Sequence, residues 1–393
     1  MDKFTNPWEE RKEALRRQAL KMGFAVAGFA PVRPPPHAEA LQPWLDQGYH
    51  GTMNWLARHP EQRGDPATRM TTEGEKNGII LVIGFNLAPD AALPDAAIAD
   101  HGVLASYACR TDYHDFMRQK VQELVLWLEK ELGQPVWQRI FVDTGPVLEK
   151  PLATAAGLGW QGKNALLVTR KFGCWLHLAE LFLALPIPPD PMEGDHCGRC
   201  DRCLQACPTD ALRHPYQLDA SRCLAYFTVE HRGPIPRAYR QALGQRIFGC
   251  DACITVCPWN RFTPKTREPV VVSSRSLVAW AQLDGTAFQA IFRHTPVQRL
   301  GLTRFLRNVA TALGNGHTPD AVTALEKLLR HEQPLVRMHA AWAVGNLMQH
   351  HDLEAMARSV LQAAAGRESD PQVQEEIALA YARHSGSSGA SAD

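Results

Sequence analysis

Cys197-Gly198-Arg199-Cys200-Asp201-Arg202-Cys203-Leu204-Gln205-Ala206-Cys207-Pro208 packs four cysteines into eleven residues and closes on a proline. This spacing lets three thiolates wrap three irons of a cubane, while the fourth, before the proline, points toward a neighbouring cluster. A second run, Cys250-x2-Cys253-x3-Cys257-Pro258, has the same ending but lacks one member of the repeat. Cys223, isolated between the two runs, is the replacement. Crossed ligation then assigns Cys197, Cys200, Cys203 and Cys257 to one [4Fe-4S] cluster, and Cys207, Cys223, Cys250 and Cys253 to the other. A pair of tetrahedral zinc sites is the alternative reading, because C-x2-C also suits zinc. Zinc motifs rarely carry so many cysteines in so short a span before a proline.

Eight of the ten cysteines lie in this region, with only Cys109 and Cys174 outside it. A disulfide-stapled secreted chain is usually short and spreads its cysteines through the fold. Here the chain has 393 residues and starts with the charged stretch Trp8-Glu9-Glu10-Arg11-Lys12, which does not resemble a signal peptide. Its most apolar stretches, 78–87 and 176–187, fall short of the ~20 residues needed to span a bilayer. A cytoplasmic protein with no membrane partner is therefore expected. The apolar share of 45% and charged share of 21% are ordinary for a globular protein, and 42 basic against 41 acidic residues name no partner.

Upstream of the cysteines, residues 1–190 alternate helical and strand signals. Gly78-Ile79-Ile80-Leu81-Val82-Ile83-Gly84-Phe85 reads as a strand buried on both faces. Residues 103–108 and 140–142 are further strand candidates, and 166–169 with 174–178 suggest a hairpin. Helices are expected over 9–22 and 114–132. The fold class is α+β or α/β, with a mixed sheet. Residues 191–272 form the cluster segment. From 273 to 384 the chain is rich in Ala and Leu, and Asn308-Val309-Ala310-Thr311-Ala312-Leu313-Gly314-Asn315 resembles His339-Ala340-Ala341-Trp342-Ala343-Val344-Gly345-Asn346. Such recurrence suggests HEAT-like helical repeats, at intervals shorter than the standard ones. Residues 385–393 read as a disordered tail.

Several motifs mislead. Gly157-Leu158-Gly159-Trp160-Gln161-Gly162 matches a dinucleotide fingerprint but follows a helix-like stretch where a strand is required. Arg16-Arg17 could pass for an export signal, but belongs to a structural helix. Asp112-Tyr113-His114 reads first as a helix N-cap. Asp143 stands at the carboxyl end of the strand at 140–142, before Thr144-Gly145-Pro146. A carboxylate partly desolvated there is expected to have a raised pKa suited to donating a proton. A turn-forming, helix-capping role is the alternative.

Longer stretches carry a family resemblance. They are Gly51-Thr52-Met53-Asn54-Trp55-Leu56, Asp112-Tyr113-His114, Val142-Asp143-Thr144-Gly145-Pro146-Val147-Leu148-Glu149-Lys150, Ala155-Ala156-Gly157-Leu158-Gly159-Trp160-Gln161-Gly162-Lys163-Asn164, and Glu230-His231-Arg232-Gly233-Pro234-Ile235-Pro236. Together with the cysteine runs they resemble epoxyqueuosine reductases, from about Trp8 into the helical tail. The resemblance implies an oxidoreductase with an N-terminal α/β cobalamin-binding domain, a two-cluster ferredoxin-like domain and C-terminal HEAT-like repeats. It implies reduction of epoxyqueuosine to queuosine at the tRNA wobble position, with an external electron donor and a monomeric chain. Asp143 matches the family's proton donor. Arg63, Asp143, Lys163 and Asn164 are the candidate cobalamin contacts that the resemblance implies, with surface or capping roles for Lys163 and Asn164 as the alternative. No Asp-x-His-x-x-Gly motif for a cobalt-ligating histidine is present, and Cys109 is expected to be a packing thiol.

Between His231 and Arg307 twelve basic residues face only Asp251, Glu268 and Asp284, a local net charge of +9. Such a segment can track a phosphate backbone. Arg299, Arg304 and Arg307 are the candidate tRNA contacts, with a solvated helical face as the alternative. Two other functions share the cysteine pattern: a cobalamin- and iron–sulfur-dependent reductive dehalogenase, and a two-cluster electron carrier.

Overall fold

A computed structural model describes residues 7–70, 77–89 and 100–387. The chain divides into two compact units, each threaded from three stretches of sequence.

The first unit comprises residues up to 91, 112–221 and 252–268. Its centre is a four-stranded sheet of β1 (Val26–Pro31), β2 (Ile79–Asn86), β3 (Gln138–Phe141) and β4 (Leu176–Leu183), in the order β1-β2-β4-β3. Every pairing is antiparallel, so the sheet is not mixed as expected. β2 is buried along nearly its whole length, as its unbroken apolar run predicts. Register sets Glu180 of β4 opposite Val82 on one side and Phe141 on the other. Alternation then puts Leu178, Glu180 and Phe182 on one face. There Leu178 and Phe182 pack with Ile80, Val82, Leu152 and Ala153.

Three helices matter for the site: α1 (Pro7–Lys21), α2 (Tyr113–Leu132) and α3 (Glu149–Ala155). α2 buries Met117, Val121, Leu124, Val125 and Leu128, spaced at one helical face, and stops at Gly133. α1 is tied down by Asp190, which accepts from Lys12 Nζ and Arg16 Nη2, both at 2.9 Å. The second arginine-pair member excepted, the supposed export signal is thus an anchor within the unit. The expected hairpin at 166–178 exists only in part. Leu167–Val168 pairs with Trp160–Gln161, whereas 176–183 joins the main sheet.

The second unit comprises 92–111, 222–251 and 269–393. The strand expected at 103–108 shrinks to Val103–Leu104, paired in parallel with Arg246–Phe248, and Ser106–Cys109 turns into a short 3-10 helix. The unit's C-terminal part is built of α4 (Leu302–Gly314), α5 (Pro319–Leu328), α6 (Pro334–Leu347), α7 (Glu354–Ala365) and α8 (Pro371–Ser387). α4, α6 and α8 pack in succession, with α5 and α7 alongside. The similar stretches in α4 and α6 have one job. A Cβ on Gly314 would lie 2.6 Å from Ala343 Cβ, and one on Gly345 would lie 2.4 Å from Ala380 Cβ. Each glycine lets the next helix approach closely. α8 is helical through Ser387, so the disordered tail expected from 385 does not begin there; 388–393 lie outside the described residues.

The cluster segment 191–272 is not a separate body, and neither is 1–190. Cys197, Ile254, Cys257 and Trp259 pack on Trp160 and Val168 in the first unit. Ile247, Phe248 and Val272 join the second unit's core.

Candidate active site and cysteine centre

β3 ends at Phe141, Val142 is buried, and Asp143 turns the chain with a left-handed φ of 53°. For a residue with a Cβ this conformation is uncommon, and it needs support from its surroundings. Glu149, in the first turn of α3, supplies it: its Oε1 accepts the Asp143 backbone N–H at 2.6 Å. The Asp143 side chain remains 53% exposed.

One side of that carboxylate is occupied. His114 Nε2 lies 2.9 Å from Asp143 Oδ2, and His114 Nδ1 lies 2.7 Å from Asp112 Oδ1. Asp112 is indeed the N-cap of α2, since its Oδ1 also accepts the His114 backbone N–H at 3.1 Å. The cap reading of Asp112-Tyr113-His114 therefore holds, but it was incomplete. The ring of Tyr113 stacks on His114 at 4.1 Å and meets His177 edge-on at 4.3 Å.

These contacts reverse the expected acidity of Asp143. Desolvation pushes its carboxyl pKa up, but the hydrogen bond and charge of His114, aided by Lys150 and His177, outweigh it and hold the pKa below the ordinary value. Desolvation would lower His114, yet its hydrogen bonds to Asp112 and Asp143 push it up to about 8. Burial carries His177 down to about 4. Burial and the neighbouring Asp143 charge push Glu149 up to about 7. Glu180 is fully buried, neither carboxyl oxygen has a hydrogen-bond partner, and desolvation drives its pKa well up.

Arg63 is buried beside this turn. Its Nη1 donates to Gly145 O at 3.4 Å, its guanidinium lies 5.4 Å from the Trp55 ring centroid, and its buried Nε has no protein partner. Lys163 and Asn164 reach the cysteine loops instead of the Asp143 turn. Lys163 Nζ donates to Gly198 O at 2.7 Å and Cys200 O at 3.0 Å, and Asn164 Nδ2 to Cys253 O at 3.3 Å. Carbonyls of the cysteine loops already satisfy both side chains.

Those loops surround a cavity of about 250 Å³, lined by Cys197, Cys200, Cys203 and Cys257 together with Trp259 and Arg261. These are the four cysteines of the first crossed set. Trp160 Nε1 donates to Cys197 Sγ at 3.4 Å, the kind of contact that stabilises a thiolate sulfur. Cys174, passed over in the sequence, is buried, and its Sγ accepts from Asn164 Nδ2 at 3.6 Å. In the second set, Cys207 and Cys253 belong to the first unit, and Cys223 and Cys250 to the second. Cys109 is buried, and desolvation pushes its thiol up to about 11, which suits a packing role.

The basic segment is less available than its count suggests. Arg307 is fully buried and donates to Phe227 O, His231 O, Gly233 O and Asn308 Oδ1 at 2.6–3.0 Å. It cannot touch a phosphate on the surface, which corrects its assignment. Arg304 is half-buried and donates to Val229, Arg299 and Leu300 carbonyls. Arg240 pairs with Glu376 in the interior. Arg299 is exposed.

A thiol-lined cavity and a sheet-end Asp–His–Asp chain in one unit, with helical repeats in the other, define an iron–sulfur oxidoreductase. Comparison with known proteins narrows this. Residues 196–260 match the 4Fe-4S double cluster binding domain, a span holding all eight clustered cysteines. Residues 63–144 match the epoxyqueuosine reductase QueG model, and 303–382 match HEAT repeats. The chain is 38% identical over 346 residues to the epoxyqueuosine reductase of Xanthomonas campestris pv. campestris, covering 86% of this chain and 95% of that one. It is 34% identical over 360 residues to that of Escherichia coli, covering 86% and 90%. Among solved structures, an epoxyqueuosine reductase with an epoxyqueuosine-modified tRNA-Tyr stem loop is 27% identical, with a TM-score of 0.84, covering 95% of this chain and 98% of that one. The Bacillus subtilis enzyme, solved with its catalytic aspartate loop swung out of the active site, is 27% identical with a TM-score of 0.83, at 95% and 98% coverage. This chain belongs to the epoxyqueuosine reductase family.

Proposed function

We propose that the chain reduces the epoxide of epoxyqueuosine in tRNA to the alkene of queuosine, with Asp143 handing a proton to the departing oxygen. The balanced change is two electrons and two protons in, one C=C bond formed, and the epoxide oxygen released as water. Membership of the family supports the substrate, and the observation that carries the chemistry is Asp143 itself, half-exposed at a strand end and hydrogen-bonded to a proton-bearing imidazole.

Electrons come from an external reductant. Cys197, Cys200, Cys203 and Cys257 hold one [4Fe-4S] cluster, for which the thiol-lined cavity and the Trp160 donor are a fit. Cys207, Cys223, Cys250 and Cys253 hold the other; their spacing and the double-cluster match support this set. The first unit holds cobalamin beside the Asp143 turn, a reading supported by the buried, unpartnered Nε of Arg63 there. When bound, cobalamin supplies a low-valent cobalt centre able to reduce the substrate carbon. Arg63 orients the ligand, and Glu149 holds Asp143 toward the reacting oxygen through its backbone N–H. The exposed Arg299 is the remaining basic candidate of the three for tRNA.

The test is anaerobic reconstitution, with iron, sulfide and bound cobalamin counted per chain and turnover measured on epoxyqueuosine-tRNA. Asp143→Asn should keep both cofactors and lose turnover. Zinc in place of iron would sink every redox reading, and full turnover by Asp143→Asn would remove its role.

A further inference from the structure

The proposed reaction needs protons at Asp143, yet the surroundings of Asp143 keep its carboxyl ionised. The proton must therefore be held by a neighbour. Both ring nitrogens of His114 lie within hydrogen-bond distance of a carboxylate oxygen, Asp112 Oδ1 at 2.7 Å and Asp143 Oδ2 at 2.9 Å. A neutral imidazole carries one N–H and can donate to only one of two acceptors. Two carboxylates on opposite nitrogens therefore require one further proton within the Asp112–His114–Asp143 chain.

We propose that His114 is the proton store of the active site: as an imidazolium it donates from Nε2 to Asp143 Oδ2, and Asp143 relays that proton to the substrate oxygen. The proposal rests on the function proposed above. In the transfer the Nε2–H bond breaks and an Asp143 O–H bond forms. Asp143 then gives the proton to the oxygen as a C–O bond breaks. His114 is left as the neutral Nδ1–H tautomer, still donating to Asp112. The second proton enters by the same route after reloading from solvent, to which Asp143 is open. His114 acts through Asp143 and is a positioning and proton-holding residue.

The other charged groups around the pair leave this assignment standing. From α2 come Asp112 and the stacked Tyr113. From β4 come His177, held neutral at pH 7 by burial, and Glu180, whose carboxyl burial pushes well above its ordinary pKa. From the turn and α3 come Lys150, which favours Asp143 as an anion, and Glu149, committed to the Asp143 backbone N–H. His114 Nε2 reaches Asp143 Oδ2 at 2.9 Å. His114, pushed up to about 8, is charged at pH 7.

Two measurements test this. Ring-nitrogen NMR of 15N-histidine-labelled, cluster-loaded enzyme, with the His114 signal identified by its loss in His114→Asn, should titrate with a midpoint near 8. A midpoint at or below the ordinary ~6.5 overturns the proposal. Turnover of the wild type should fall as pH rises through about 8, because the store empties. Asp112→Asn keeps an N-cap but removes the charge that stabilises the imidazolium, so the fall should move at least tenfold in proton concentration toward lower pH. His114→Asn should turn over at least tenfold more slowly at pH 7 and recover as pH falls toward 5, where Asp143 takes a proton directly. An unmoved profile in Asp112→Asn refutes the store even if His114→Asn fails to fold. A wild type that converts no epoxyqueuosine-tRNA at any pH defeats the function instead, and the NMR midpoint would still report on His114.

Discussion

Replacing Arg307 with methionine separates a structural guanidinium from a tRNA contact. The Glu230–Pro236 motif has no regular secondary structure beyond His231, and Arg307 of α4 holds it by the carbonyls of Phe227, His231 and Gly233 at 2.6, 2.7 and 2.8 Å. Methionine matches the length and fills the space, but leaves these three carbonyls, one buried and two part-buried, without that donor. Each such loss costs about 1–3 kcal/mol. The wild type starts with an opposing cost, since burial pushes the guanidinium down to about 9, and that cost vanishes with the charge. Losses at neighbouring acceptors are not additive, so the net lies near the ~3–5 kcal/mol typical of breaking a buried charge network. For a unit of this size one kcal/mol moves Tm by roughly 2–4 °C, and Arg307→Met should lower it by about 10 °C. Circular dichroism melting and urea denaturation measure this, beside tRNA binding across a salt series. A stability loss under about 1 kcal/mol, with weaker binding and a flatter salt slope, would refute the buried-hub argument. Arg299→Glu should behave in the opposite way, with unchanged Tm and a flatter salt slope.

Other outcomes follow from single contacts. Gly345→Ala brings a Cβ to 2.4 Å from Ala380 Cβ and should destabilise the helical unit by about 1–3 kcal/mol, read by urea denaturation; a neutral result would mean α6 and α8 are not closely apposed there. Asp190→Ala leaves the buried Lys12 ammonium to the more distant Glu9 Oε2 at 3.5 Å and should cost about 1–3 kcal/mol, with proteolysis near the N-terminus rising as α1 loosens; unchanged protection contradicts the anchor. Glu180 binds its proton more tightly folded than unfolded, so the wild type loses stability relative to Glu180→Gln as pH rises above the ordinary carboxyl range near ~4.3. Equal stabilities of the two at pH 5 and pH 8 would show that Glu180 is solvated. Cys257→Ser should drop iron from about eight to about four per chain on reconstitution, and retention of all eight would break the crossed assignment.

What could be read from the sequence was whatever is local. The cubane spacing, the doubly buried β2 and the helical repeats each depend on residues a few positions apart, where chain geometry alone sets the distances. Domain boundaries were not of this kind. The cluster segment looked separate because its composition is unusual, but Trp259 and Ile254 pack on Trp160 in one unit and Phe248 joins the core of the other. Composition reports what a segment contains, not which core it completes. Arg307 was misread for a related reason. Arginine is usually exposed, and nothing adjacent in sequence signals that carbonyls some 80 positions away will absorb its donors.

Asp143 shows the same limit at the level of chemistry. Strand position marked it as a candidate acid, and desolvation alone would have raised its pKa as expected. The sign reverses because folding brings His114, from the start of α2, to its Oδ2 across 29 positions of sequence. Asp112 locks that histidine in place, and its own cap role hid the second use of the same oxygen, which accepts both the backbone N–H and Nδ1. A carboxylate that must deliver a proton while remaining ionised at rest makes sense only with an adjacent store. Its raised affinity for protons is also a stability statement. His114 contributes about 2 kcal/mol to the fold below its ordinary pKa of 6.5, and that contribution is lost as pH rises through about 8. The chain that feeds the reaction therefore also fastens the N-terminus of α2 to the Asp143 turn. Emptying the store at alkaline pH should loosen that turn as well as starve it of protons.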